Sequence, residues 1–336
     1  PQEAMIAFAP RLFPRRSPAS LEALLPAYAN AGIRQRHIAV PMEWLAEPHG
    51  WPERSRLYRR HAVALLKQAA LRALAEAELA PGQVDALVGA SSTGVATPRP
   101  AALLLEELPF RRDVIRLPIF GLGCAGGVLG LARAADLARA HPGRRVLLLV
   151  VELCSLTFRH GDPTKSNVIA AALFGDGAAA LILRADPDET GGPAVAASSE
   201  WTFPRSLSVM GWRMESDGFG VLFSRSIPQL VEREIPARAQ GFLAGQNLRL
   251  ADIDAFALHP GGTKVLEAYG RGLGLDEVAL APARAVLADY GNMSSASVLF
   301  VLRSRLDRGF RRCLALALGP GFTCAQVLLR GNHGLA

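Results

Sequence analysis

Apolar residues fall along this chain in two rhythms. Five short runs, 85–90, 145–151, 178–183, 254–258 and 313–318, are dominated by Ala, Val, Leu and Ile with few polar interruptions. A strand facing water on one side alternates, so unbroken runs of this length predict strands covered on both faces. Between them lie longer Ala-, Leu- and Arg-rich stretches that read as helices: 61–78, the segment after Cys124, and 298–306. Strands alternating with helices predict an α/β fold. A shift in composition near 185–200 (ADPDETGGPAVAASS) marks the expected boundary between two halves, 1–190 and 191–336. The halves also echo each other. FGDGAAALILR (174–184) and LGPGFTCAQVLLR (318–330) both run from a Gly-x-Gly turn into an apolar strand ending in Arg. Internal duplication is the simplest reading, and coincidence stays open.

Composition narrows the class. With 336 residues and half of them apolar, the chain can bury a large core. It contains no run of about 18 apolar residues, so no membrane span is expected. The opening PQEAMIAFAP lacks a charged-then-apolar signal pattern and starts without methionine, which reads as a processed terminus and a cytoplasmic location. The four cysteines, Cys124, Cys154, Cys313 and Cys324, form no C-x-x-C pair. That argues against a disulfide framework or zinc site and for an enzyme with one reactive thiol. The net charge is +7, yet only three lysines occur and the arginines are scattered. No basic run interleaves with aromatics, so nucleic acid is not an expected partner.

The chemistry concentrates at three places. Gly121-Leu122-Gly123-Cys124-Ala125-Gly126 satisfies G-x-G-x-x-G between an apolar run and a helix, the pattern of a dinucleotide loop, with Glu152 ending the next strand as a candidate ribose acid. A cysteine inside that loop has a second reading. At the head of a helix, the dipole and unpaired N–H groups favour the thiolate, and the flanking glycines leave room for an acyl group. A thiol nucleophile needs a partner. His259 is the best placed of seven histidines, because it follows the run DAFAL and opens His-Pro-Gly-Gly. Asn292, in YGNMSSAS before the apolar helix, is either a helix cap or a donor in a site. Taken singly, none of these residues decides between a nicotinamide-dependent oxidoreductase, a thiol hydrolase and an acyltransferase.

In combination they do. GCAGG, HPGG and YGNMSSAS, in that order, resemble the Cys-His-Asn constellation of type III polyketide synthases, the chalcone synthase-like branch of the thiolase superfamily, in its bacterial form. The resemblance runs along nearly the whole chain, through ELCSLTFR (152–159), LFGDGAAA (173–180) and LGPG (318–321). It implies a layered αβαβα fold of two similar halves, the first carrying the nucleophile and the second the His and Asn. Cys124 would accept an acyl starter from CoA. His259 and Asn292 would stabilise the enolate formed from malonyl-CoA, and His259 would hold Cys124 as thiolate. Phe174 would be the gate between cavity and CoA tunnel. Ser92, Thr93, Thr97, Cys154 and Thr157 would line the cavity, and Gly319 and Gly321 would let the backbone meet substrate or merely serve a turn. A homodimer with Thr97 near its interface is implied, and no metal, flavin or nicotinamide cofactor.

Two departures carry consequences. Ala125-Gly126-Gly127 lacks the extra aromatic of plant members, which suggests a roomier site, fatty acyl starters and alkylpyrone or alkylresorcinol products. The segment SLEALLPAYANAG (20–32) lacks the basic residues that hold CoA phosphates in plant members, leaving Arg34 and Lys264 as substitutes. Delivery of the starter on a carrier protein, as in the related 3-oxoacyl-[acyl-carrier-protein] synthase III group, is the alternative that follows.

Overall fold

The computed structural model describes residues 1–186 and 192–331. The middle of the compositional break, 187–191, and His333 lie outside the described residues. Two mixed four-stranded sheets and a hairpin make up the β-structure. The first sheet has β1 (Ala86–Ala90), β2 (Ile115–Ile119), β3 (Arg145–Leu153) and β4 (Asp176–Arg184) in the order β2-β1-β3-β4. The second has β5 (Ala194–Thr202), β8 (Ala255–Leu258), β9 (Arg312–Gly319) and β10 (Thr323–Arg330) in the order β5-β10-β9-β8, while β6 (Met210–Glu215) and β7 (Gly218–Phe223) form the hairpin.

All five predicted strands are present, as β1, β3, β4, β8 and β9. The two sheets also repeat one pattern. In the first, β1 pairs parallel with β3, which pairs antiparallel with β4; in the second, β8 pairs parallel with β9, which pairs antiparallel with β10. β4 and β10, the strands whose sequences echo each other, therefore occupy equivalent places.

Layering follows from which faces are apolar. The helices Gly126–Ala140 and Ser297–Arg308 pack between the sheets, touching strands of both. The first of them is small and apolar nearly all round, as a helix enclosed on every side must be. Outside lie Trp51–Glu76 on the first sheet and the pair Ile227–Ala244 and Thr263–Leu273 on the second. The sum is five layers, helix-sheet-helix-sheet-helix. Trp51–Glu76 begins ten residues before the predicted 61, with Pro52 in its first turn, where a missing N–H costs nothing. At the centre of the first sheet Leu147, Leu148, Leu149 and Val150 are fully buried, each worth about 1.5–3 kcal/mol.

Candidate active site

The strand β2 ends at Ile119, and the chain turns through Gly121 and a 3-10 turn, Gly123–Ala125, into the central helix from Gly126. Cys124 thus sits at the head of that helix, as its sequence context predicts. The loop is held by Ser92, whose Oγ accepts from the N–H groups of Gly121 (3.2 Å) and Gly123 (2.9 Å).

The glycines do something other than expected. A Cβ on Gly123 would lie 2.7 Å from Pro320 Cδ, one on Gly126 3.1 Å from Ser295 Cβ, and one on Gly127 2.2 Å from the Ser295 carbonyl oxygen. Only Gly121 in this stretch faces open space. These glycines let the second half close against the nucleophile loop, rather than making room for an acyl group or cradling a pyrophosphate. Glu152 is not a ribose acid either. Fully buried in β3, it accepts from Ser92 N (3.0 Å), Thr93 Oγ1 (2.7 Å) and Ser295 Oγ (2.5 Å), tying the two halves together behind Cys124. Burial raises its carboxyl above the ordinary value.

Asn292 comes to Cys124 from the other half. Its Oδ1 accepts from Ser294 N (2.8 Å), a local bond just ahead of the 3-10 turn Ser294–Ala296, and lies 4.0 Å from Cys124 Sγ. Asn292 is not the helix cap: the 3-10 turn is capped at Met293 and the helix Ser297–Arg308 at Ala296, neither by a side-chain bond. With Oδ1 fixed, Nδ2 is aimed away, toward the Gly261 carbonyl at 3.4 Å, a long bond that leaves donor capacity. Gly261 belongs to the turn after β8. There His259 N donates to Leu316 O (2.9 Å), which fixes the backbone while both imidazole nitrogens are buried and have no hydrogen-bond partner. Buried polar atoms are rarely left so, and here two lie on one ring, in the turn whose Gly261 carbonyl faces Asn292 Nδ2.

Burial acts against the charged form of both groups. Burial pushes the Cys124 thiol up to about 12 and the His259 imidazole down to about 3. Desolvation outweighs the hydrogen bonds that the thiol makes with Ser294 and Asn292, so each group alone is neutral at pH 7.

The remaining candidates divide. Cys154, Thr157 and Phe174 meet around one enclosed space of ≈ 30 Å³, with Ser155 and Arg36. Phe174 also stacks on Phe223 (5.7 Å) and tilts against Trp212 (5.9 Å), two aromatics of the β6–β7 hairpin that sequence reading did not single out. Ser92 and Thr93 are corrected from cavity lining to scaffold, since their hydroxyls are spent on the loop and on Glu152. Thr97 is exposed and, within one chain, is not brought to Cys124. Gly319 is a packing residue as well: a Cβ there would lie 2.5 Å from Leu122 O. Gly321, at φ +72, serves the β9–β10 turn, its N–H bonded to Met210 O. Arg34 is exposed and paired with Asp289. Among the described residues no cluster suits a metal ion, and no helix is long and apolar enough to cross a membrane.

Comparison with known proteins agrees with this geometry. The family model for the N-terminal domain of chalcone and stilbene synthases matches residues 31–187, and that for the C-terminal domain matches 194–332. The 1,3,6,8-tetrahydroxynaphthalene synthase of Streptomyces peucetius subsp. caesius is 42% identical over 90% of this chain and 82% of its own length. The solved 1,3,6,8-tetrahydroxynaphthalene synthase of Streptomyces coelicolor A3(2), a bacterial type III polyketide synthase, superposes with a TM-score of 0.92 at 29% identity, covering 99% of this chain and 95% of that one. PKS-I of the brown alga Ectocarpus siliculosus gives 0.91 at 30% identity, over 98% and 94%.

Proposed function

The chain belongs to the chalcone and stilbene synthase family and is a type III polyketide synthase, and from that premise we propose that Cys124, His259 and Asn292 carry its reaction. Cys124 Sγ, giving its proton to His259, attacks the carbonyl of an acyl-CoA starter; the new C–S bond forms as the bond to CoA breaks, and CoA leaves as the thiol. Malonyl-CoA then takes its place with the thioester oxygen between His259 and Asn292 Nδ2. Carbon dioxide departs, the electron pair moves onto that oxygen, and the two N–H donors stabilise the enolate. Its carbon attacks the Cys124 thioester and displaces the sulfur. Oxyanion donors of this kind contribute about 3–4 kcal/mol each. The observation that carries the reading is a buried thiol with the Asn292 amide beside it, Oδ1 at 4.0 Å, and with two buried imidazole nitrogens of His259 left without partners in the turn that Asn292 Nδ2 faces.

The halves 1–190 and 191–336 then divide the labour, nucleophile in one and oxyanion donors in the other. CoA delivery is favoured over a carrier protein by the family. Free cysteines throughout the described residues fit a reducing, cytoplasmic setting, and exposed Leu117 and Phe120 beside the edge strand β2 support a homodimer. Mass-spectrometric product analysis with malonyl-CoA and starters from acetyl- to palmitoyl-CoA tests this. Polyketide products from at least one starter, absent in Cys124→Ala, are expected; none from any CoA ester would remove the CoA-dependent reaction.

A further inference from the structure

Arg36 takes no part in the mechanism above, yet it lies where the gate and the oxyanion donor join. Phe174 and Asn292 form an isolated parallel bridge: Asn292 N donates to Leu173 O (2.9 Å) and Gly175 N donates to Asn292 O (3.0 Å). This two-bond link is the backbone connection between the aromatic gate and the amide beside Cys124. Arg36 Nη1 donates to Phe174 O (2.8 Å) and Ala171 O (2.6 Å), the carbonyls left over at the end of the helix Lys165–Leu173.

The stem of Arg36 is enclosed by the same bridge. A Cβ on Gly291 would lie 2.7 Å from Arg36 Cγ and 2.8 Å from Cδ, and one on Gly175 would lie 3.5 Å from Arg36 Cβ. Glycines on both sides thus admit the side chain between the segments that carry Phe174 and Asn292. The backbone around Arg36 is tied to this strand start too, because Asp176 N donates to His37 O (2.8 Å) and Ala39 N donates to Asp176 Oδ2 (2.7 Å). Burial lowers Arg36 to about 10, with Tyr28 and Asp176 acting to keep it charged, so it is a cation at neutral pH. Its Nη2 is shut off from solvent without a partner, and Arg36 is among the residues that line the space shared by Cys154, Thr157 and Phe174. Partly unsatisfied buried charge is costly, and here it accompanies two bonds to one junction.

We propose that Arg36 is a positioning residue that locks the Phe174–Asn292 bridge, holding the gate and the oxyanion donor in one fixed relation to Cys124. This rests on the assignment of Asn292 as an enolate donor. Losing the lock displaces Asn292 without touching the thiol, so decarboxylation suffers and acylation does not. Misplacing a reacting group by about 1 Å costs about 100-fold.

The test compares Arg36→Met, which keeps a long stem without donors, with Arg36→Lys, which keeps charge and donors on a shorter stem. Acylatable Cys124 is counted by intact mass after acetyl-CoA, and malonyl-CoA decarboxylation is measured per acylatable site. For Arg36→Met the expected result is a site count like wild type, a kcat lower by about 100-fold and a smaller change in KM, with Arg36→Lys between the two. Decarboxylation per site equal to wild type in Arg36→Met overturns the proposal. So does a fall in rate matched by an equal fall in acylatable sites, which is a purely structural effect. If Arg36→Met does not fold, Arg36→Lys decides by the same ratio. Asn292→Ala is the control: if it decarboxylates like wild type, the enolate-donor assignment itself is wrong, a failure separate from that of Arg36.

Discussion

At the scale of the residue, the site joins groups whose shared property is enclosure. Cys124 and His259 are each driven toward neutrality by burial, and the proposed nucleophile needs a proton acceptor, the role proposed above for His259. The sign follows: a thiol raised to about 12 is almost entirely protonated at pH 7, so reactivity near neutrality requires a group that takes its proton. Alkylation by iodoacetamide, followed by intact mass across pH, is expected to proceed near neutrality in the wild type. In His259→Ala the profile should shift to strongly alkaline pH; superimposable profiles would show that the imidazole does not take the proton. Cys124, His259 and Asn292 were legible in sequence because each has a reactive or polar type set among small residues. Glu152 and Arg36 were not, since what distinguishes them is a set of partners 100 or more positions away, such as Ser295 or Phe174.

At the scale of the element, glycines decide how closely the halves approach. The helix starting at Gly126 meets the segment Ser294–Ala296 with Gly127 directly beneath the Ser295 carbonyl. A methyl there must push two backbones apart, and overpacking of this kind costs about 1–3 kcal/mol. Gly127→Ala is therefore expected to lower stability by that amount in urea titration and to reduce activity by parting Cys124 from Asn292. An unchanged midpoint with full activity would mean the contact is looser than described. The buried strands were legible because unbroken aliphatic runs have few other uses. β2, with Pro118, and the hairpin β6–β7 were missed because they are partly exposed and mix polar, aromatic and glycine residues. β5 was hidden in the compositional break, where a partner strand, β10, rather than its own sequence, makes it a strand.

For the whole molecule, two sheets of like topology enclose two helices, and the site lies where the head of one, at Cys124, meets the segment leading into the other, at Asn292. Neither half holds a complete set of groups, so docking of the halves assembles the site. The edge of the first sheet, with Leu117 and Phe120 exposed, is expected to carry the homodimer contact. Leu117→Lys should then give a monomer mass in light scattering where the wild type gives a dimer, and a dimer in both would place the interface elsewhere. The central claim is that an acyl group rides on Cys124 and is extended there. The most direct measurement is the intact mass of the protein after acetyl-CoA and again after malonyl-CoA. The account requires one acetyl adduct located on Cys124 by peptide mapping, absent in Cys124→Ala, and its discharge or extension only when both His259 and Asn292 are present. An adduct on another residue, or extension that persists in Asn292→Ala and His259→Ala, would contradict it.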